Sequence, residues 1–196
     1  MTTLVFFVTI MTIIILTIKT IIKAIKHKSI LTSVRLLAAV ILTYVVLWTI
    51  FYFISSNKTI SLGTDICFDD WCATVTKIER QPAIGNERAN GQFIILHIKM
   101  SNQARGIAQK PSEPRVHIID DKGHSWTFSK QGQIAIDNLR GRQIPIDQKL
   151  ELHQSLETNL VFDIPLDAKN CKVLIEEGPF ITKVLLHDDN KVFLIQ

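Results

Sequence analysis

The first 56 residues contain no aspartate and no glutamate, yet they carry Lys19, Lys23, Lys26, Lys28 and Arg35. Within them, residues 1–18 and 36–54 hold no charge of either sign. The remaining 140 residues are almost balanced, with 17 basic and 18 acidic side chains. A nucleic-acid binder needs lysines and arginines clustered on its folded surface to displace counterions. A near-neutral C-terminal part excludes nucleic acid as a partner.

Chemistry-bearing motifs are missing as well. The six histidines, at 27, 97, 117, 124, 153 and 187, never fall at metal-ligand spacing such as H-x-x-x-H. No G-x-S-x-G elbow surrounds a serine. The stretch "NLRGRQ" at 138–143 has one glycine and forms no phosphate loop. No catalytic, cofactor-binding or metal-binding residue is therefore expected, and an enzyme is not supported.

Long apolar runs are what the chain does have. "MTTLVFFVTIMTIIILTI" (1–18) and "LLAAVILTYVVLWTIFYFI" (36–54) approach the ~20 residues with which a helix crosses ~30 Å of hydrocarbon. The second run lacks the polar face of a soluble amphipathic helix. The first lacks the basic start and small-residue cleavage site of a signal peptide. All five basic residues lie between the runs, and such short basic segments stay cytoplasmic. Trp48 and Tyr52 sit near the other end of the second run, where amphipathic rings favour the headgroup layer. The expected order is transmembrane helix 1 (1–18), a basic cytoplasmic loop (19–35), transmembrane helix 2 (36–55), a short linker (56–63) and an extracytoplasmic domain (64–196).

Only three cysteines occur, and two of them frame "CFDDWC". Outside the cytoplasm such a pair tends to oxidise. Cys67 and Cys72 would flank a four-residue hairpin tip, Phe68-Asp69-Asp70-Trp71, with Cα atoms within disulfide reach. Zinc would require four ligands at recognisable spacings. A redox pair usually reads C-x-x-C, and one acidic pair is far from the 6–8 oxygens that calcium takes. Cys171 opens the apolar run "CKVLI" and reads as a buried thiol, although its pairing with Cys67 or Cys72 stays open.

From residue 62 the texture changes to short alternating runs separated by turns, which predicts strands. "QFIILHIKMSN" (92–102) sends Ile94, Leu96, Ile98 and Met100 to one face and Phe93, Ile95, His97 and Lys99 to the other. "TNLVFDIP" (158–165) points Leu160, Phe162 and Ile164 inward. "RVHIID", "SWTF", "CKVLI", "TKVLL" and "KVFLI" supply further strands, and "AIGNERANG", "DDKGH" and "HDDN" supply turns. No long amphipathic helix is visible. Residues 129–151 are long for a loop and have room for a short strand or helical turn around "QIAIDNL". The expected fold is an all-β antiparallel sandwich with two N-terminal transmembrane helices.

Gly91-Gln92-Phe93 leading into "IILHIKMSN", an Asp-x-x-Gly turn before an aromatic (Asp120, Gly123, Trp126), and Leu160-Val161-Phe162-Asp163-Ile164-Pro165 together resemble a bacterial family. Its members are exported, membrane-anchored or lipid-anchored immunoglobulin-like domains, related in fold to a secreted mycobacterial immunoprotective antigen. The resemblance covers roughly residues 62–196 and implies an immunoglobulin-like sandwich without catalytic residues. Leu152-His153-Gln154-Ser155 departs from it, since Pro-Gly is usual there.

The function expected is a multi-pass membrane protein whose outward domain is a binding or interaction module, an accessory envelope component with a protein partner. The alternative is a sensor or small transport subunit that signals through the helix pair. Polar or ionisable residues inside the spans would favour that alternative; the runs offer only threonines and two tyrosines. The charge asymmetry also fixes a testable orientation. Reporter fusions active only outside the cytoplasm should work after residue 60 and stay silent near residue 27, and the opposite pattern would reverse the orientation.

Overall fold

The computed structural model describes residues 2–27, 29–54, 58–178 and 191–195. The chain forms two compact units, a helical pair and a β-sandwich.

Two 24-residue helices, α1 (Thr2–Ile25) and α2 (Leu31–Ile54), make up the first unit. Helix α1 runs seven residues past its expected end, so much of the basic segment is helical. Lysine is a good helix former and keeps its ammonium in a polar layer on a flexible stem. Both helices are long and apolar enough to cross a membrane. None of Phe7–Ile25 and almost none of Leu31–Ile50 is buried. The hydroxyls of Thr12, Thr17, Thr20 and Thr49 donate to carbonyls four residues back, at 2.7–2.8 Å. This satisfies them within their own helix.

Among the described residues, the second unit has nine strands: β1 (Lys58–Ile60), β2 (Ile66–Phe68), β3 (Trp71–Ile84), β4 (Glu87–Asn102), β5 (Arg115–Ile119), β6 (Ser125–Trp126), β7 (Ser155–Ile164), β8 (Lys172–Glu176) and β9 (Lys191–Leu194). They build two sheets, β1-β9-β8-β5-β6 and β2-β3-β4-β7. The pairings among these strands are antiparallel except β1 with β9, which is parallel. The β-sandwich is thus as expected, with one change at its boundary. Lys58–Ile60 lies in the expected linker but joins the sheet, where Ile60 packs on the core. The expected strand at 182–186, the turn at 187–190 and His187 lie outside the described residues.

Ile94, Leu96, Ile98 and Met100 of β4 enter the core between the sheets, with Trp71, Phe162, Val173 and Phe193. The opposite face of β4 is not simply solvated. Phe93 and Ile95, with Val161 of β7, are buried under a helix, α3 (Lys130–Arg140), which contributes Ala135 and Ile136. The helical turn allowed for in residues 129–151 is therefore an 11-residue helix. Ser129 caps it, its hydroxyl accepting from Gly132 N at 3.1 Å. At Gly132 a Cβ would lie 2.5 Å from Val161 Cγ1, so only glycine lets the helix sit this close to β7.

The family-like motifs turn out to be fold devices. A Cβ at Gly91 would meet Ile164 O at 2.1 Å. The Asp163 carboxylate holds the approach by accepting from Asn90 N, Asn90 Nδ2 and Gly91 N at 2.9–3.0 Å. Buried Asn102 donates to the carbonyls of Ile107, Leu150 and Glu151 and accepts from Ala104 N, which ties two loops together. Asp120 accepts from Lys122 N, His124 N and His124 Nδ1 at 2.8–2.9 Å, which folds the "DDKGH" turn. Where Pro-Gly is usual, Gln154 N donates to Glu151 O and His153 takes φ 58°. Leu152 and His153 thus fill the two central turn positions, and histidine is among the residues that tolerate left-handed φ.

Cys67 and Cys72 face each other across β2 and β3 and form a disulfide, with Cα atoms 3.9 Å apart. The tip is tighter than expected. Phe68 and Trp71 also pair, leaving a two-residue turn in which Asp69 takes φ 52°. Cys171 is free and buried, and burial pushes its thiol pKa up. On the chain-entropy account, replacing Cys67 and Cys72 with serine should cost about 2 kcal/mol, because the closed loop is short. Chemical denaturation of the intact protein checks this, and a free-thiol count of three in oxidised wild-type protein would contradict the bond.

Candidate binding cleft

Among the described residues strand β7 is an edge of its sheet, and edge strands leave backbone groups open to foreign strands. Here two glutamines occupy that edge. Gln133 of α3 donates through Nε2 to Asn159 O at 3.0 Å and accepts through Oε1 from Val161 N at 3.2 Å. This is the pattern of a neighbouring strand, made by one side-chain amide. Gln143 Oε1 accepts from Asn159 N at 3.0 Å, and Ser129 N donates to Val161 O at 2.7 Å. Asp137 fixes Gln143 by accepting from its backbone N–H at 3.1 Å. Thr158 donates its hydroxyl to Ile144 O, holding residues 144–146 beside the strand.

This arrangement leaves a cleft of about 410 Å³ between the β7 edge and the start of β5. The volume falls in the range of small-molecule and side-chain pockets. Val116, Phe128, Ile144, Ile146 and Leu160 supply its apolar lining, with Arg115, His117 and Asp137 among the polar groups. Phe128 remains 50% exposed at this site. The Arg115 side chain donates from Nη2 to Gly178 O, and its Nε is buried without a hydrogen-bond partner among the described residues.

A second polar group positions the helical wall. Glu79 of β3 lies beneath the C-terminal end of α3. It accepts from Lys77 at 2.8 Å, His97 at 2.8 Å, Arg140 at 3.1 Å and Gln81 at 3.2 Å. Lys77, joined by Arg140 and His97, draws the Glu79 pKa down to about 2 against the burial that pushes it up. At Asp120 burial pushes the carboxyl up, but the hydrogen bonds from His124 and Lys122 outweigh it and hold the pKa below the usual value.

The five described histidines lie apart from one another. His97 meets Glu79, His124 meets Asp120, His117 lines the cleft, and His27 and His153 occupy turns at positive φ. Among the described residues no three His, Cys, Asp or Glu side chains converge as a metal site would need. Asp69 and Asp70 sit at the hairpin turn. Sequence reasoning missed the cleft. The only hint was the length of the 129–151 segment.

No family model matches the chain, and no curated protein matches it. Solved structures do resemble it. The yjhA protein from Bacillus subtilis is 14% identical with a TM-score of 0.47, covering 69% of this chain and 98% of its own. The secreted protein MPT63 from Mycobacterium tuberculosis is 11% identical with a TM-score of 0.47, covering 72% and 99%. An uncharacterized beta-sandwich protein from Clostridium difficile is 12% identical with a TM-score of 0.44, covering 72% and 96%. The assignment of a β-sandwich rests on the strand order and core given above.

The Glu79 cluster makes a pH prediction. A carboxylate with a folded pKa near 2 and an ordinary unfolded value near 4.5 stabilises the fold fully above the unfolded value. That contribution is lost as pH falls toward 2. Lys77 is well exposed, so screening reduces the gain to about 1 kcal/mol. Glu79→Gln should therefore be less stable than wild type in denaturant at pH 6, and the two should converge near pH 2.

Proposed function

We propose that the chain is an integral membrane protein that presents an immunoglobulin-like binding module outside the cytoplasm, with the cleft between β5 and β7 as its recognition surface. The observation that carries this reading is the cleft itself, an apolar pocket beside a sheet edge closed by side chains. Support for the anchor comes from two exposed apolar helices whose threonine hydroxyls return to their own backbones. Support for the outward side comes from the basic segment between the helices and from the Cys67–Cys72 disulfide, which suits an oxidising compartment.

Strand order supports the immunoglobulin-like reading. The sets β3-β4-β7 and β9-β8-β5 correspond to A-B-E and G-F-C of an immunoglobulin sandwich. The disulfide differs, since it closes a hairpin and does not bridge the two sheets. A signalling or transport role for the helix pair has less support, because the threonine hydroxyls named above are spent within their own helices.

The occupant proposed is an apolar side chain or short apolar segment of an envelope protein. A photo-crosslinking residue in place of Phe128, in intact cells, should yield one discrete adduct. Adding Ile146→Asp should abolish it, while a photo-crosslinker at exposed Leu166 should give none. Absence of any Phe128 adduct, or persistence of the adduct with Ile146→Asp, would overturn the cleft as the recognition surface.

A further inference from the structure

Residues 1–56 carry five basic side chains and no acidic one. Lys19 and Lys23 are four residues apart on α1 and share a face. They border a groove of about 390 Å³ between α1 and α2, near the connection of the two helices. Leu16, Ile22 and Leu36 supply its apolar lining, and Thr32 adds a hydroxyl group. The Lys23 ammonium donates to the Ser33 hydroxyl at 2.8 Å, and Ser33 is buried. An ammonium has three donors, so this bond holds Lys23 in place and leaves donors for a second acceptor. At 1.5 Å per residue, Lys19 lies ~10 Å along the helix from Lys26, and its flexible stem lets the ammonium reach toward the headgroup layer.

We propose that this groove binds an anionic phospholipid, with the headgroup phosphate against Lys19 and Lys23 and an acyl chain along Leu16, Ile22 and Leu36. The proposal rests on the reading of α1 and α2 as membrane spans. Charge complementarity selects the occupant: a cationic mouth with no carboxylate among its described lining residues, above an apolar floor, matches a lipid that is anionic at one end and aliphatic at the other. A zwitterionic lipid would bring a second cation to the same lysines.

Two measurements separate this proposal from the reading beneath it. In the first, membranes containing the full chain are washed at alkaline pH. Retention of the protein supports the spans, and its release would overturn both the spans and the lipid site. In the second, the detergent-purified full chain is exposed to equal amounts of phosphatidylglycerol and phosphatidylcholine, and the retained lipid is weighed by native mass spectrometry. Wild type should prefer phosphatidylglycerol. Lys19→Gln with Lys23→Gln should reduce that preference about tenfold or more, at the ~1 kcal/mol that each lysine near an anionic surface contributes. Lys26→Gln with Arg35→Gln removes the same charge outside the groove lining and should leave most of the preference intact. Equal retention of the two lipids by membrane-retained wild type would refute the groove, as would equal losses in the two double variants.

Discussion

Strand β4 is buried on both faces, and this double burial constrains the rest of the domain. Ile94, Leu96, Ile98 and Met100 must meet the other sheet, while Phe93 and Ile95 must meet α3. Its two edges are paired with β3 and β7. A slip of one residue would exchange the faces and carry His97 and Lys99 into the inter-sheet core. Register is therefore fixed from both sides. The Gly91–Ile164 approach adds a steric stop at one end, and the Asn102 side chain adds a polar stop at the other. Helix α3 is thus a requirement of β4. Without it the Phe93, Ile95 and Val161 side chains would form an exposed apolar patch.

Much of this was legible in the sequence because its cause is local. Alternation along 92–102 and 158–165 gave the strands and their inward residues, and "CFDDWC" gave the cross-strand cysteine pair. The motif residues carried structural information of the same kind: Gly91 marks a close backbone approach, and Asp120 and Asp163 collect backbone N–H groups. The sequence predicts a four-residue hairpin tip because nothing in it shows that Phe68 and Trp71 pair. The rings stand 6.0 Å apart, and that contact extends the ladder past the cysteines.

Helix α3 was harder to see for a physical reason. Gly132 weakens its helical signal, since glycine is a poor helix former, yet glycine is what the contact with Val161 demands. The apolar residues of "QIAIDNL" are also divided. Ala135 and Ile136 are buried, whereas Ile134 and Leu139 are more than half exposed. The cleft was beyond the sequence altogether. It joins residues 114–117, 127–128, 133–147 and 158–160, which only the crossing from β5 past α3 to β7 brings together.

The way the β7 edge is closed limits how the proposed site can work. An incoming strand would have to displace Gln133 from Asn159 and Val161 and Gln143 from Asn159, breaking bonds that already satisfy the backbone. Each such bond contributes on the order of 1 kcal/mol net, so a new strand would gain little by replacing them. Strand addition is the least favourable mode of recognition at this edge. What the closure leaves available is the apolar space between Val116, Phe128, Ile146 and Leu160. Filling that space removes apolar surface from water, at roughly 25 cal/mol per Å², without disturbing the glutamines. On the proposed reading, the glutamines make the module selective for a partner that offers an apolar anchor and reject one that offers a bare strand.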